Sequence, residues 1–394
     1  MKKLFEKIIE GVLACSGFVT SITIVLIILF LFSEALGLFN SRVIEEGYVL
    51  ALNKDNKVSE LTPAQIKDVF DEEITNWNEV GGQDMPIRLF RLEDITQYYT
   101  EEELGAAYEH AGVKITELVE RTPGIIAFVP QQFIVRPDSV HLLQDNTISV
   151  KDVFAGAEWF PTAIPAAQFG FLPLITGTLW VSLFAILIAL PFGLSVAIYM
   201  SEVANSRIRN LLKPIIELLS GIPSVVYGFF GLIVIVPFIQ KVFNLPVGES
   251  GLAGSIVLAI MALPTIITVT EDAMRNCPRA MREASLALGA SQWQTIYKVV
   301  IPYSVSGITS GVVLGIGRAI GETMAVLMVT GNAAVIPHTI LEPLRTIPAT
   351  IAAELGEAPA GGAHYEALFL LGVVLFFISL LINFTVEAVS ARKR

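Results

Sequence analysis

Six stretches of this chain run for roughly the thickness of a bilayer with almost no charge, and nothing else constrains its fold as strongly. They are Gly11–Ser33, a span within Trp159–Ser201, Leu218–Gln240, Ser250–Thr270, Val299–Gly317 continued by Thr323–Leu341, and Ala367–Val386. About 20 apolar residues are enough for a helix to cross a hydrocarbon core of roughly 30 Å. Of the 394 residues 53% are hydrophobic and only 16% charged, with a mean hydropathy of +0.65. A soluble domain of this length carries more charge. The expectation is a helical protein that crosses the membrane six times. The first run also exceeds the roughly 7–15 residues of a signal-peptide core and lacks a clear cleavage site, so it reads as an uncleaved anchor.

Lys and Arg in the short connections set the orientation. With the amino terminus inside, the inner segments hold Lys2, Lys3 and Lys7, then Arg207, Arg209 and Lys213, then Arg275, Arg279, Arg282 and Lys298, and finally Arg392, Lys393 and Arg394. The two short outer connections hold only Lys241 and Arg345. Both termini are therefore expected in the cytoplasm.

The acidity is local. Residues 40–158 hold 22 Asp and Glu against 10 Lys and Arg, a net of −12, which leaves +1 for the rest of a chain whose formal total is −11. Within this polar segment, strand-like pieces ("YVLALN", "PIRLF", "GIIAFVP") alternate with helix-like ones ("TPAQIKDVF", "TEEELGAAYEHAG"). That alternation predicts a small α/β module outside the membrane. Thr62 is a natural N-cap with Pro63 at the first helical position. The fold expected is an all-α polytopic membrane domain of six helices with this module inserted. Its parts are an anchor helix over 1–39, the insert over 40–150, and a five-helix core over 151–394. Cys15 and Cys277 imply no disulfide framework, and His110, His141, His338 and His364 lack metal-ligand spacing. No cofactor, metal site or nucleic-acid partner is expected of this chain.

Two features carry chemistry. Arg318 and Glu322 interrupt the fifth apolar stretch, in "GRAIGETMAV", and four residues apart they would share one face of a continuous helix. Fifteen positions past Tyr303, Arg318 would lie roughly 22 Å into the membrane at about 1.5 Å per residue. A charge at such depth costs about 2.5–3.5 kcal/mol and usually marks function. The alternative is a structural interhelical pair. Between the fourth and fifth spans, residues 275–302 ("RNCPRAMREASLALGASQWQTIYKVVIP") form an amphipathic loop. There Glu283, Ala284 and Ser285 precede Gly289 by the spacing E-A-S-x3-G, and Pro302 closes the loop. An interfacial helix on anionic lipid is the alternative for this loop, given Arg275, Arg279 and Arg282.

The loop resembles the EAA loop of ABC-importer permeases, E-A-A-x3-G-x9-I-x-L-P, with Ser285, Val299 and Ile301 in place of Ala, Ile and Leu. With "FGFLPLITGTLWVSLFAILIALPFGLSVAIYMSE", "IPSVVYGFFG", "GRAIGETMAV" and "DVFAGAEWFP", the chain resembles the C-type permease of phosphate-specific ABC importers. The resemblance implies a sister permease, a dimer of ATPase subunits and an extracytoplasmic phosphate-binding protein as partners, in a bacterial cytoplasmic membrane. It also implies that Arg318 and Glu322 act along the phosphate path and that Glu283, Ala284, Ser285 and Gly289 couple to the ATPase. The chain has no Gly-x4-Gly-Lys-Ser/Thr loop, so ATP and Mg²⁺ would be used by the partner. Another oxyanion such as sulfate or molybdate, and a secondary transporter or channel, stay open as alternatives. The insert, over about Tyr48 to Pro137 with "ITNWNEVGG", resembles one lobe of phosphate-binding proteins. Where such a lobe has a Ser-Gly-Thr anion turn, this chain has Arg91 followed by "LEDITQYYT", with Glu93 and Asp94 where an anion would sit. The expectation is a module that does not bind phosphate alone and serves as a docking element or a spacer.

Overall fold

The computed structural model describes residues 2–144 and 146–391. Arg392, Lys393 and Arg394, used above for orientation, lie outside them. Six helical segments are long and apolar enough to cross a membrane: Ile9–Asn40, Leu172–Val203, Ser224–Phe243, Gly251–Arg275, Gln292–Ile320 and Ala363–Ala388. They coincide with the six uncharged runs, with one exception in the fifth. The chain divides into two units, Met1–Leu172 with Pro359–Ala367, and Pro173–Ala358 with Leu368–Arg394.

The first unit contains helix α1 (Lys2–Gly37) and the insert. Strands β1 (Tyr48–Leu52), β2 (Arg88–Arg91), β3 (Ile125–Pro130) and β4 (His141–Leu142) form a sheet in the order β2-β3-β1-β4. The three longer strands are those the alternation predicts. β2 runs parallel to β3, pairing Arg88 with Ile125, and the crossover between them contains helix α3 (Ala111–Arg121). β1 is antiparallel to β3, pairing Leu50 with Phe128. Helix α2 (Pro63–Phe70) starts at Thr62, whose hydroxyl accepts from the Gln65 N–H while the Gln65 side chain caps back. Its Ile66, Val69 and Phe70 are buried. α3 buries Ala111, Ile115 and Val119, a stripe at helical spacing. Trp77 is fully buried and donates its indole N–H to the Gly124 carbonyl at 2.9 Å. Each such core side chain contributes about 1.5–3 kcal/mol by burial.

Two expectations for this unit change. "TEEELGAAYEHAG" forms only one helical turn, Glu101–Leu104, because Gly105 takes a left-handed φ of +86° and ends it. The segment after residue 150, expected with the membrane core, groups with the insert as far as Leu172. Helix α4 (Val150–Ala155) leads to a two-stranded ribbon of β5 (Trp159–Phe160) and β6 (Gln168–Phe169). The Gln168 amide there donates to the Pro63 carbonyl at 2.8 Å, and Glu158 pairs with Lys67 at 3.2 Å.

The second unit is helical. In chain order it holds α5 (Leu172–Ile198) with a π-helical turn at Tyr199–Val203, then α6 (Ser206–Gly221) and α7 (Ser224–Phe230). α7 continues through a π-helical turn into α8 (Val236–Phe243), followed by α9 (Gly251–Arg275). The loop helices α10 (Arg279–Ala287) and α11 (Gln292–Thr295) precede α12 (Ile301–Ile320). Last come α13 (Met324–Val329), α14 (Ile347–Glu354) and α15 (Ala363–Ala391).

α9 is the most buried of these spans, and α12 packs along it through Gly307, Gly311 and Gly315. A Cβ at Gly307 would collide with the Ala273 Cβ, one at Gly311 would stand 3.1 Å from the Thr270 hydroxyl, and one at Gly315 2.7 Å from Ile266 Cγ1. Small residues at every fourth position let two backbones approach in lipid, where dispersion replaces the hydrophobic effect.

Candidate functional site

The three glycine contacts fix the depth of Arg318. As α12 advances from Gly307 to Gly315, its neighbour on α9 retreats from Ala273 to Ile266. Three further residues bring Arg318 level with Leu263, midway along Gly251–Arg275. That is about 18 Å from either end of α9 at 1.5 Å per residue. Arg318 therefore stands level with the middle of α9, two residues before α12 ends.

The helix does not continue to Glu322. α12 ends at Ile320, Gly321 donates back to the Gly317 carbonyl at 3.2 Å, and Gly321, Glu322 and Thr323 are unwound. The shared helical face expected for Arg318 and Glu322 is therefore corrected, and so is the expected continuation of this span through Leu341. The cause is packing: α13 leaves the α12 axis to dock on α7, where Gly228 leaves room for Ala325 and Met328, and Gly231 for Val329. A Cβ at Gly228 would lie 2.9 Å from the Ala325 Cα. Ala325, Val326 and Val329 are consequently buried.

Arg318 sits in the last turn of α12, where free carbonyls favour a cation. It is half-buried, and on α7 the Tyr227 hydroxyl donates to the Leu219 carbonyl at 2.7 Å. Among the described residues neither Arg318 nor Glu322 has a hydrogen-bonding or ion-pairing side-chain partner. The structure brings both to one break in the span.

The loop 275–302 contains two short helices joined by a turn. α10 and α11 meet at Gly289, which holds a left-handed φ of +85°. Ser291 caps α11 through the Gln294 N–H, and the Ser285 hydroxyl meets that of Thr295 at 2.9 Å, joining the two helices. Glu283 and Ala284 are exposed. At the tip Leu288 is 90% exposed and Trp293 67%. Cys277 at the base is buried, which pushes its thiol up and makes it a poor nucleophile, against a smaller opposing effect of Arg282.

Several ion pairs of the membrane helices and their connections escaped the sequence reading. Glu271, only 1% exposed, is held by Lys213 at 3.6 Å and Arg275 at 3.4 Å. Arg282 pairs with Glu202 at 2.8 Å, and Arg345 with Glu354 at 2.7 Å. Only the Glu271–Arg275 pair has a local signal, its i,i+4 spacing. In the insert, Asp94 accepts from the Arg91 backbone N–H at 2.9 Å, and the Arg91 guanidinium donates to the Phe70 carbonyl at 3.1 Å. A carboxylate of the chain itself thus takes a backbone N–H of the turn that follows β2.

Residues 189–394 match the family described as binding-protein-dependent transport system inner membrane component. The chain belongs to this family. It is a multi-pass protein of the inner membrane, a transport component and not an enzyme, and its resemblance to ABC-importer permeases holds. Residues 32–146 match a second family, the PBP superfamily domain, over the α/β insert. The chain is 41% identical over 249 residues to "Probable ABC transporter permease protein YqgH" of Bacillus subtilis, covering 63% of this chain and 80% of that protein. It is 39% identical over 234 residues to "Phosphate transport system permease protein PstC" of Mesorhizobium japonicum, covering 55% and 71%. A 38% identity over 239 residues, with the same coverage, links it to "Phosphate transport system permease protein PstC 1" of Mycobacterium tuberculosis.

Proposed function

We propose that this chain is a permease subunit of an ATP-driven importer of inorganic phosphate, forming the path with a sister permease. The observation that carries the reading is Arg318, a guanidinium level with the middle of α9 where its own helix stops, without a charged partner among the described residues. Transporter sites commonly form where a membrane helix is interrupted. A planar, permanently charged fork suits the oxygens of a tetrahedral anion. Glu322, in the unwound segment beside it, supplies the negative charge against which the anion competes, so that phosphate is held briefly and released. The similarity to phosphate transport system permeases supports that anion over sulfate or molybdate.

Both termini lie in the cytoplasm in this reading, and the tip around Glu283, Ala284, Ser285 and Gly289 faces the ATPase, which uses ATP and Mg²⁺. The exposed Leu288 and Trp293 supply apolar surface for that contact. The insert lies outside and docks the phosphate-binding protein or the sister permease without binding phosphate itself.

The test is ATP-dependent uptake of radiolabelled phosphate by the assembled complex in vesicles. Arg318→Ala is expected to leave assembly intact and abolish uptake, while wild-type uptake withstands excess sulfate and molybdate. Normal uptake by Arg318→Ala removes the guanidinium from the path.

A further inference from the structure

We infer that Glu202 is a positioning residue that ties the coupling loop to the inner end of the second span, so that movement of the loop is delivered to α5. The inference rests on the loop's proposed role as the ATPase contact. Glu202 lies in the π-helical turn Tyr199–Val203 that ends α5, and its side chain is only 10% exposed. One carboxylate oxygen accepts from the Arg282 guanidinium at 2.8 Å and from the Ser201 hydroxyl at 2.7 Å. Its backbone carbonyl accepts from the Gln292 side chain at 3.0 Å.

Arg282 belongs to α10 and Gln292 to α11, so both halves of the loop are fastened to one residue. The same Arg282 nitrogen also donates to the Met274 carbonyl at 2.9 Å, linking the tie to the inner end of α9. The turn carrying Glu202 is itself braced. Arg209 donates to the Met200 carbonyl at 2.7 Å and to the Ser201 carbonyl at 3.1 Å. Single π-helical turns recur at functional positions. Half-buried charge pairs with several hydrogen bonds hold geometry better than exposed ones, because losing one partner strands the other. Glu202 touches neither the anion nor the nucleotide. It decides whether a push on the loop reaches the second span.

The experiment uses the full complex in proteoliposomes and reads three quantities: ATPase co-purification, ATP hydrolysis and phosphate taken up per ATP hydrolysed. Glu202→Ala is expected to keep co-purification and hydrolysis and to lower uptake per ATP about tenfold, within the range of ordinary coupling free energies. Glu202→Gln, which keeps an oxygen acceptor for Arg282, is expected to fall less. The exchange Glu202→Arg with Arg282→Glu is expected to recover part of the loss, which general damage to the fold would not allow. An unchanged uptake-to-hydrolysis ratio in Glu202→Ala, or no recovery in the exchanged pair, overturns the tie. Leu288→Asp in the same complex tests the underlying reading separately. Retained co-purification there sinks the ATPase contact itself, whatever Glu202 does.

Discussion

At the scale of single residues, the cost of charge in lipid decides what Arg318 can be. A guanidinium level with the middle of a membrane helix is tolerated only where protein, water or an anion meets it. Arg318→Lys keeps the charge and loses the planar fork, so initial uptake rates are expected to fall, though less than in the alanine variant. Gly315 makes an opposite demand, for absence of side chain. Gly315→Leu forces its Cβ against Ile266 and is expected to destabilise the membrane unit by about 1–3 kcal/mol, read as a lower melting temperature in detergent. Arg318 was legible because a charge inside an apolar run is conspicuous. Its lack of pairing with Glu322 was not, since a spacing of four residues looks the same whether the helix continues or stops. The Glu202–Arg282 pair was equally hidden, as 80 residues separate its members.

At the scale of elements, local chemistry was the most readable. Thr62, Pro63 and Gln65 form the cap their order predicts, and Thr62→Ala is expected to cost about 1 kcal/mol, seen as faster proteolysis within the insert. Gly289 was conspicuous through the resemblance of its loop to the EAA pattern, and the structure places a turn there. Gly289→Ala places a Cβ in a left-handed conformation that costs about 1–2 kcal/mol, and weaker ATPase co-purification is the expected outcome. Less readable was the end of the fifth span. Hydropathy registers that a segment is apolar, and "TMAVLMV" is apolar on either side of a break. What stops the helix is a groove on another element, at Gly228 and Gly231, more than ninety residues earlier in the chain. α3 escaped notice for a different reason: the preceding run of glutamates looked more helical, yet Gly105 ends that helix after one turn.

At the scale of the whole molecule, the division into an α/β module and a helical permease was visible in the charge distribution, because nearly all the acidity falls between residues 40 and 158. The boundary was less visible, since residues 151–172 join the module by hydrogen bonds that no composition change announces. Deleting residues 45–145 tests what the module does in transport. A fall in uptake with the complex still assembled is the expected result for a docking element, and unchanged affinity and rate would leave a spacer.

The glycine stripe has a mechanical corollary. α9 and α12 are the two arms of one hairpin, pressed backbone to backbone along Gly307, Gly311 and Gly315, with the loop carrying Leu288 at its bend. Arms that close cannot slide past each other by less than a full ridge, so the hairpin behaves as a single stiff lever. In the proposed transport cycle, such a lever would carry a thrust at the bend toward the guanidinium level with the middle of the other arm.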